Sequence, residues 1–593
     1  MRKVEFQALK SHGRVTGPGE RQQELWPTIR RAKSGSDEYR AVTQSRLIAW
    51  AVAFLAFVMA IALVVLVFHY GHNVPFYDDW MIVAALTGHQ PITLQWLWAQ
   101  HNDHRMPLTN LLLLGLFRIS GGDFRAGMFF NAAALILMTV LMLGAAFRLR
   151  GKAAVTDAFI PLLLLSWRHY GNVLWNWQVS FIAPTLLAVV AVYLVVVSSV
   201  PGRSKALGMA VLVCALSLMG AVGPVFATPI CVWMLLAAWA LARQYPDVAR
   251  LLGLGSMMGF CLIGLNFVGY HPSFIERPAN LRGWLRSSLE VLSVGIDPVE
   301  DPGSENMADL WVRELWGSAA CTILLLGVSV NIIAAIRDRN EFVRRSGMAL
   351  LIASALAIAA VIGWSRRDGY WIRYAVLSVP GLLAVYVSTL LRPAGRLGQL
   401  LRGVLFICIL GTAWPSFMAG WHGAQKRHEL LAGFEKDLRA GVPPTVLAEH
   451  YTKRLHRREF ESEMADNMRM LRSAGVGGFR RLPDDPASET IDVPAVPKTV
   501  YRLKNPAYVY IIRLTYQCLS GSPGSGMAPC RVTWSNAADS IDAQPGRYDC
   551  GLHKDGREEH VLVWVNEPIN QFQIWPDDRN RKWRINVQLL VRP

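Results

Sequence analysis

The run from about residue 47 to residue 68 contains no charged side chain. About 20 apolar residues suffice to cross the hydrocarbon core of a bilayer, so this run reads as a membrane-spanning helix. It is preceded by Arg2, Lys3, Lys10, Arg14, Arg21, Arg30, Arg31, Lys33, Arg40 and Arg46. The excess of positive charge on cytoplasmic flanks puts the N-terminus in the cytoplasm. The run is too long for the apolar core of a typical cleavable signal and follows a long polar tail, so it is expected to stay as an anchor.

Further apolar runs are expected to span at about residues 125–147, 155–167, 179–200, 207–220, 222–241, 251–270, 315–336, 348–364, 374–391 and 404–421. With the first, this makes about eleven spans. The threading puts short basic loops in the cytoplasm: Arg148, Arg150 and Lys152; Arg203 and Lys205; Arg243 and Arg250; Arg337, Arg339, Arg344 and Arg345; Arg392, Arg396 and Arg402. An odd count leaves the C-terminal part outside. The segments 155–167 and 207–220 are the short ones, and losing either alone inverts everything after it.

Composition agrees. The 593-residue chain is 52% hydrophobic and 17% charged, which excludes an ordinary soluble or disordered protein. Its net charge of +17 falls largely in the N-terminal tail and short loops, where topology and anionic lipid explain it better than nucleic acid does.

The expected fold is a polytopic α-helical membrane protein with a small C-terminal extracytoplasmic α+β region. Residues 1–45 form a basic cytoplasmic tail, expected to be disordered. Residues 46–421 form the transmembrane domain. Its outer loop, 71–123, is expected to hold two interface helices, at 81–100 and 106–119. Residues 422–490 read as a helical linker, with Gly441, Pro443 and Pro444 as a break. Residues 491–593 read as a β-sandwich, with period-two runs separated by turn signals at 520–524 and 576–578. Cys214, Cys231, Cys261, Cys321 and Cys408 lie in apolar segments. Cys518, Cys530 and Cys550 lie in the C-terminal part, which leaves room for one disulfide plus a free thiol if that part is outside.

Chemistry concentrates on the outer face. Asp78 and Asp79 sit in Tyr77-Asp78-Asp79-Trp80, just past the first span. By themselves two acids at a helix end read equally well as solvated or capping groups. The same loop also carries His101, Asn102, Asp103, His104 and Arg105. Other outer-face groups are Trp167, Arg168, His169, Tyr170 and Asn172; Trp175, Asn176, Trp177 and Gln178; and Arg366, Arg367, Asp368, Trp371, Arg373 and Tyr374. Arginine binds phosphate in bidentate fashion. Aromatic faces stack on sugar rings, and a carboxylate can accept the proton of an attacking hydroxyl. Together these groups suit transfer of a sugar from a lipid-linked phosphate. The aromatics are equally at home as interface anchors, and the arginines as snorkelling side chains. No motif requires a cofactor. A divalent cation stays open, with His101, Asp103 and His104 as the one candidate cluster, and no metal ligand set is assigned.

This arrangement resembles the GT-C-fold glycosyltransferases: an N-terminus inside, an acidic pair after the first span, two interface helices in the first outer loop, and a C-terminal outer domain. The resemblance implies a polyprenyl-phosphate-linked sugar as donor and a glycan or glycolipid acceptor in a bacterial inner (plasma) membrane. It implies Asp78 or Asp79 as catalytic base. Arg105, Arg366, Arg367 and Arg373 then become candidates for donor phosphate. Tyr77, Trp80, His101, Asn102, Asp103, His104, Trp175, Trp177, Gln178 and Tyr374 become candidates for substrate contact. The C-terminal strands resemble carbohydrate-binding sandwiches. The rival readings are a lipid-linked glycan transporter or flippase, an O-antigen-type ligase using a diphosphate carrier, and a catalytically dead glycan-binding protein.

Overall fold

The computed structural model describes residues 20–197, 202–272, 276–299, 306–391, 396–456, 461–484, 487–491, 500–519, 527–536, 546–576 and 582–592. The first helix, α1 (Glu20–Tyr70), starts well before the apolar run. Residues 20–45 are therefore helical where a disordered tail was expected. Extending an existing helix is cheap, because each added residue gains one hydrogen bond. The sequence there is also rich in Arg, Lys, Gln, Glu and Ala, which favour helix. The rest of the expected tail, with Gly13, Gly17, Pro18 and Gly19, lies outside the described residues.

The single interface helix expected at 81–100 does not form. A 3-10 turn at Tyr77–Ile82 leads into α2 (Val83–Leu86), and the chain breaks before α3 (Leu94–Trp98). Gly88 takes a left-handed φ of 82° and Pro91 lacks an amide donor, so neither continues a helix. Thr93 then caps α3 by accepting from the Trp96 amide. A tight hairpin follows, β1 (Gln100–His101) against β2 (His104–Arg105), with Asn102 left-handed at its turn. The second expected interface helix is present as α4 (Pro107–Ile119).

The helical domain continues with α5 (Arg125–Arg150), α6 (Phe159–Leu164), α7 (Tyr170–Val173), α8 (Val179–Val196) and α9 (Arg203–Ser217). Then come α10 (Val222–Leu241), α11 (Pro246–Leu265), α12 (Leu281–Ser293), α13 (Met307–Arg337), α14 (Phe342–Ser365), α15 (Val379–Ser388) and α16 (Arg396–Arg439). Eight helices among the described residues are long and apolar enough to cross a membrane. The protein is thus a multi-pass membrane protein. The three other expected spans are shorter. The 155–167 segment is split into two 3-10 turns and α6, the 207–220 segment lies in the 15-residue α9, and the 374–391 segment holds the 10-residue α15. Helix α9 nevertheless packs along α10 and α11. The approach is close enough that a Cβ on Gly259 of α11 would meet Val213 Cγ1 of α9 at 2.8 Å and Cys231 Sγ of α10 at 2.6 Å.

Beyond α16 lie α17 (Pro444–Leu455), α18 (Glu461–Ser473) and six strands: β3 (Ala487–Ile491), β4 (Val500–Cys518), β5 (Met527–Ser535), β6 (Gly546–His553), β7 (Glu559–Pro576) and β8 (Trp583–Val591). They form one antiparallel sheet in the order β3-β8-β4-β7-β5-β6. Two separate sheets were expected of a sandwich. Strands β4 and β7, of 19 and 18 residues, run through both halves and join them into one hydrogen-bonded sheet. The turn signals at 520–524 and 577–578 lie outside the described residues.

Two apolar cores matter for the site. One fills the helical domain around α5, α8, α10, α14 and α15. The other joins the first loop (Phe76, Trp80, Phe117) to Trp175, to α16 and α17 (Phe434, Tyr451), and to Tyr510, Ile511 and Leu590 of the sheet. The C-terminal region is therefore seated on the loop that carries the acidic pair. Arg513 of β4 and Glu449 of α17 add an ion pair to that contact.

Candidate functional site

The two neighbouring acids have different environments. Asp79 is 1% exposed. Its Oδ2 accepts from the Phe76 amide at 3.1 Å and its Oδ1 accepts from Asn176 Nδ2 at 2.8 Å. It thus closes the first turn of the 3-10 helix and ties that turn to the start of α8. Burial pushes its carboxyl from 3.8 up to about 7, against the opposing pull of its two hydrogen bonds. Asp78 is half-buried and makes no hydrogen bond or ion pair among the described residues. Its charged neighbour is Arg373. The residue before it, Tyr77, is held at φ 49°, a conformation that side chains rarely adopt.

Around Asp78 and Arg373 lies a patch of buried donors with no partner among the described residues: Arg373 Nε, Trp175 Nε1 and Gln178 Nε2. Asn172 organises it. Its Nδ2 donates to the Arg373 carbonyl at 2.7 Å and to Gln178 Oε1 at 3.2 Å. Asn131 on α5 supports the same loop by donating to the carbonyls of Asn172 and Trp175. The Tyr77 ring packs on Trp175 with centroids 5.6 Å apart. Buried polar groups are nearly always paired in a folded protein, so such a cluster of free donors suits a polar or anionic ligand.

Next to this patch is a cavity of about 430 Å³. Its polar end is formed by Asp103, His104, Tyr270, Arg277, Arg366 and Tyr374, and its wall by Phe181, Val222, Val225, Phe267, Val361 and Trp364. Asp103 accepts from Arg366 at 3.4 Å and from the Tyr270 hydroxyl at 3.5 Å. His104 is desolvated and neighbours His101, which pushes its imidazole down to about 3. It is therefore neutral at pH 7 and offers a hydrogen bond rather than a charge. Arg373 is within electrostatic reach of both His104 and Asp78, and so links the cavity to the acid. His101 packs on Trp177 at 5.0 Å, and Asn102 contacts the His101 ring.

Other expected site residues are elsewhere. Trp80 is fully buried, and its indole donates to the Leu455 carbonyl, so it joins the loop to α17. Arg105 spends its guanidinium on the backbone carbonyls of Trp98, Asn266 and Gly269. It clamps the hairpin to the end of α11. Arg367 is exposed and paired with Glu276. Tyr270, Arg277 and Arg427 had no sequence signal. The Arg427 guanidinium lies over the rings of Phe76 and Tyr170, more than 300 positions away for Phe76, and only the packing of α16 brings it there. The fully buried Arg168 donates to Asp297 at 2.6 Å and to the carbonyls of Val294 and Val299. Tyr370 also donates to Asp297, so this cluster braces the segment beneath the site.

Fold and site together define a polytopic helical membrane protein with a C-terminal antiparallel β-sheet domain, carrying an apolar-walled cavity whose polar end meets its first large loop. No family model matches the chain, and no curated protein matches its sequence.

Proposed function

We propose that this chain is a membrane glycosyltransferase that moves a sugar from a polyprenyl-phosphate donor to a glycan or lipid-linked acceptor outside the cytoplasm. The observation that carries the reading is an apolar-walled cavity whose polar end, with Arg366, Arg277 and His104, adjoins the unpaired donors around Asp78 and Arg373. A lipid tail suits the apolar wall. A phosphate suits two arginines and a neutral imidazole, and sugar hydroxyls suit the free donors of Trp175 and Gln178. In the proposed reaction the Asp78 carboxyl takes the proton of the acceptor hydroxyl. That oxygen bonds to the anomeric carbon from the face opposite the leaving group. The bond from carbon to phosphate oxygen breaks, and Arg366 and Arg373 hold the charge on the departing phosphate. One base and one displacement give inversion. Asp79, with both oxygens engaged, positions Asp78 and does not touch substrate.

The test uses protein in nanodiscs with a panel of radiolabelled polyprenyl-phosphate sugars and a crude surface-glycan acceptor. Donor consumption by wild type is expected to fall about 10²- to 10⁴-fold in Asp78→Asn, with expression and folding matched. Full activity in Asp78→Asn removes the base. If folded protein consumes no donor, the transferase reading falls; movement of intact donor between leaflets then supports a transporter instead.

A further inference from the structure

Strands β5 and β6 place Cys530 and Cys550 directly opposite each other in an antiparallel pair. Opposed residues in such a pair have Cα atoms about 4.5–5.5 Å apart, with side chains on the same face. Disulfides join Cα atoms about 4.4–6.8 Å apart, so the spacing of opposed residues falls in the range of the bond. The two thiols already touch as hydrogen-bond partners. Cys530 is buried and Cys550 is half-buried. Both line a second cavity of about 210 Å³ with Pro529, Arg531, Asp549 and Trp575, which gives a reagent access. Among the described residues, strand β6 is the edge of the sheet and pairs with β5 alone. Cys518 lies on β4 opposite Trp583 of β8.

We infer that Cys530 and Cys550 form a disulfide that staples the edge strand β6 to the sheet. The oxidant is of the disulfide-carrier class found outside the cytoplasm. The Cys550 thiolate attacks one carrier sulfur and expels the other as a thiolate. Cys530, losing its proton, then attacks the Cys550 sulfur and expels the second carrier sulfur. Two protein thiols become one disulfide, and one carrier disulfide becomes two thiols. The inference does not depend on the transferase reading. It requires only that the sheet lie in an oxidising compartment, which the bond would itself establish.

The experiment alkylates free thiols in intact cells expressing the full chain, before lysis, so that air oxidation cannot contribute. Peptides are then compared by mass spectrometry with and without reduction. The expected result is a linked pair of peptides containing Cys530 and Cys550, two hydrogens lighter than the separate peptides, which reduction splits. Cys518 should stay out of any link, and Cys518→Ser should leave the pair intact. Protease digestion of folded wild-type protein should cut β6 faster after reduction. Alkylation of both Cys530 and Cys550 under denaturing quench without reduction overturns the inference, as does a link from either to Cys518.

Discussion

Asp79→Asn isolates the cost of a buried charge. The carboxyl is 1% exposed and is raised from 3.8 to about 7 by desolvation. The folded protein therefore binds this proton more tightly than the unfolded chain does. The stability from this group is whole below pH 3.8 and is lost as pH rises to about 7. Each pH unit across that window is worth about 1.4 kcal/mol, so full ionisation in the fold costs about 4 kcal/mol. About 2–3 kcal/mol of this falls between roughly pH 5 and pH 8. Asparagine carries no charge. It keeps one acceptor oxygen for either the Phe76 amide or Asn176 and loses the other bond, at a cost of about 1–3 kcal/mol that does not change with pH. Equilibrium unfolding in mixed micelles with SDS, from pH 5 to pH 8, reads the difference directly, because every other titrating group is common to both proteins. Wild type should lose about 2–3 kcal/mol relative to Asp79→Asn over that range. Stability profiles that run parallel would refute the desolvated carboxyl.

Three further outcomes follow from the same geometry. Asp297→Ala should destabilise by about 3–5 kcal/mol, because it leaves the Arg168 guanidinium uncompensated in the interior; chemical denaturation checks this. Arg105→Ala should lower stability by several kcal/mol, at about 1.5–3 kcal/mol for each charged hydrogen bond to a carbonyl, while Arg367→Ala should stay within about 0.5 kcal/mol of wild type in the same assay. On the proposed transferase reading, Arg366→Ala should raise KM for the polyprenyl-phosphate sugar in donor titrations, and an unchanged KM removes Arg366 from the proposed phosphate contacts.

Much of the site was visible as residue types in the sequence. Trp175, Gln178 and Arg373 lie around Asp78, and Asp103, His104 and Arg366 line the adjoining cavity. The roles within it were not visible. Asp78 and Asp79 are adjacent and chemically alike, and what separates them is Asn176, almost a hundred positions away, and the burial of the 3-10 turn. Arg105 looks like a phosphate ligand until the carbonyls at the end of α11 close around it. Tyr270 and Arg277 enter the cavity from a connection that carries no motif.

The sequence by itself determined that the chain lives in a membrane and that its C-terminal part forms strands. Those are local properties: apolar length, charge at the ends of segments, and side-chain period. The tertiary structure decided which apolar segments are long helices and which are short, because 155–167 and 374–391 are broken by contacts that hydropathy does not contain. It also decided that one sheet forms instead of two, that β6 lies against β5 with its cysteines opposed, and which of the two acids is buried and hydrogen-bonded. Desolvation and hydrogen-bond partners set those outcomes, and both come from residues far away in the chain.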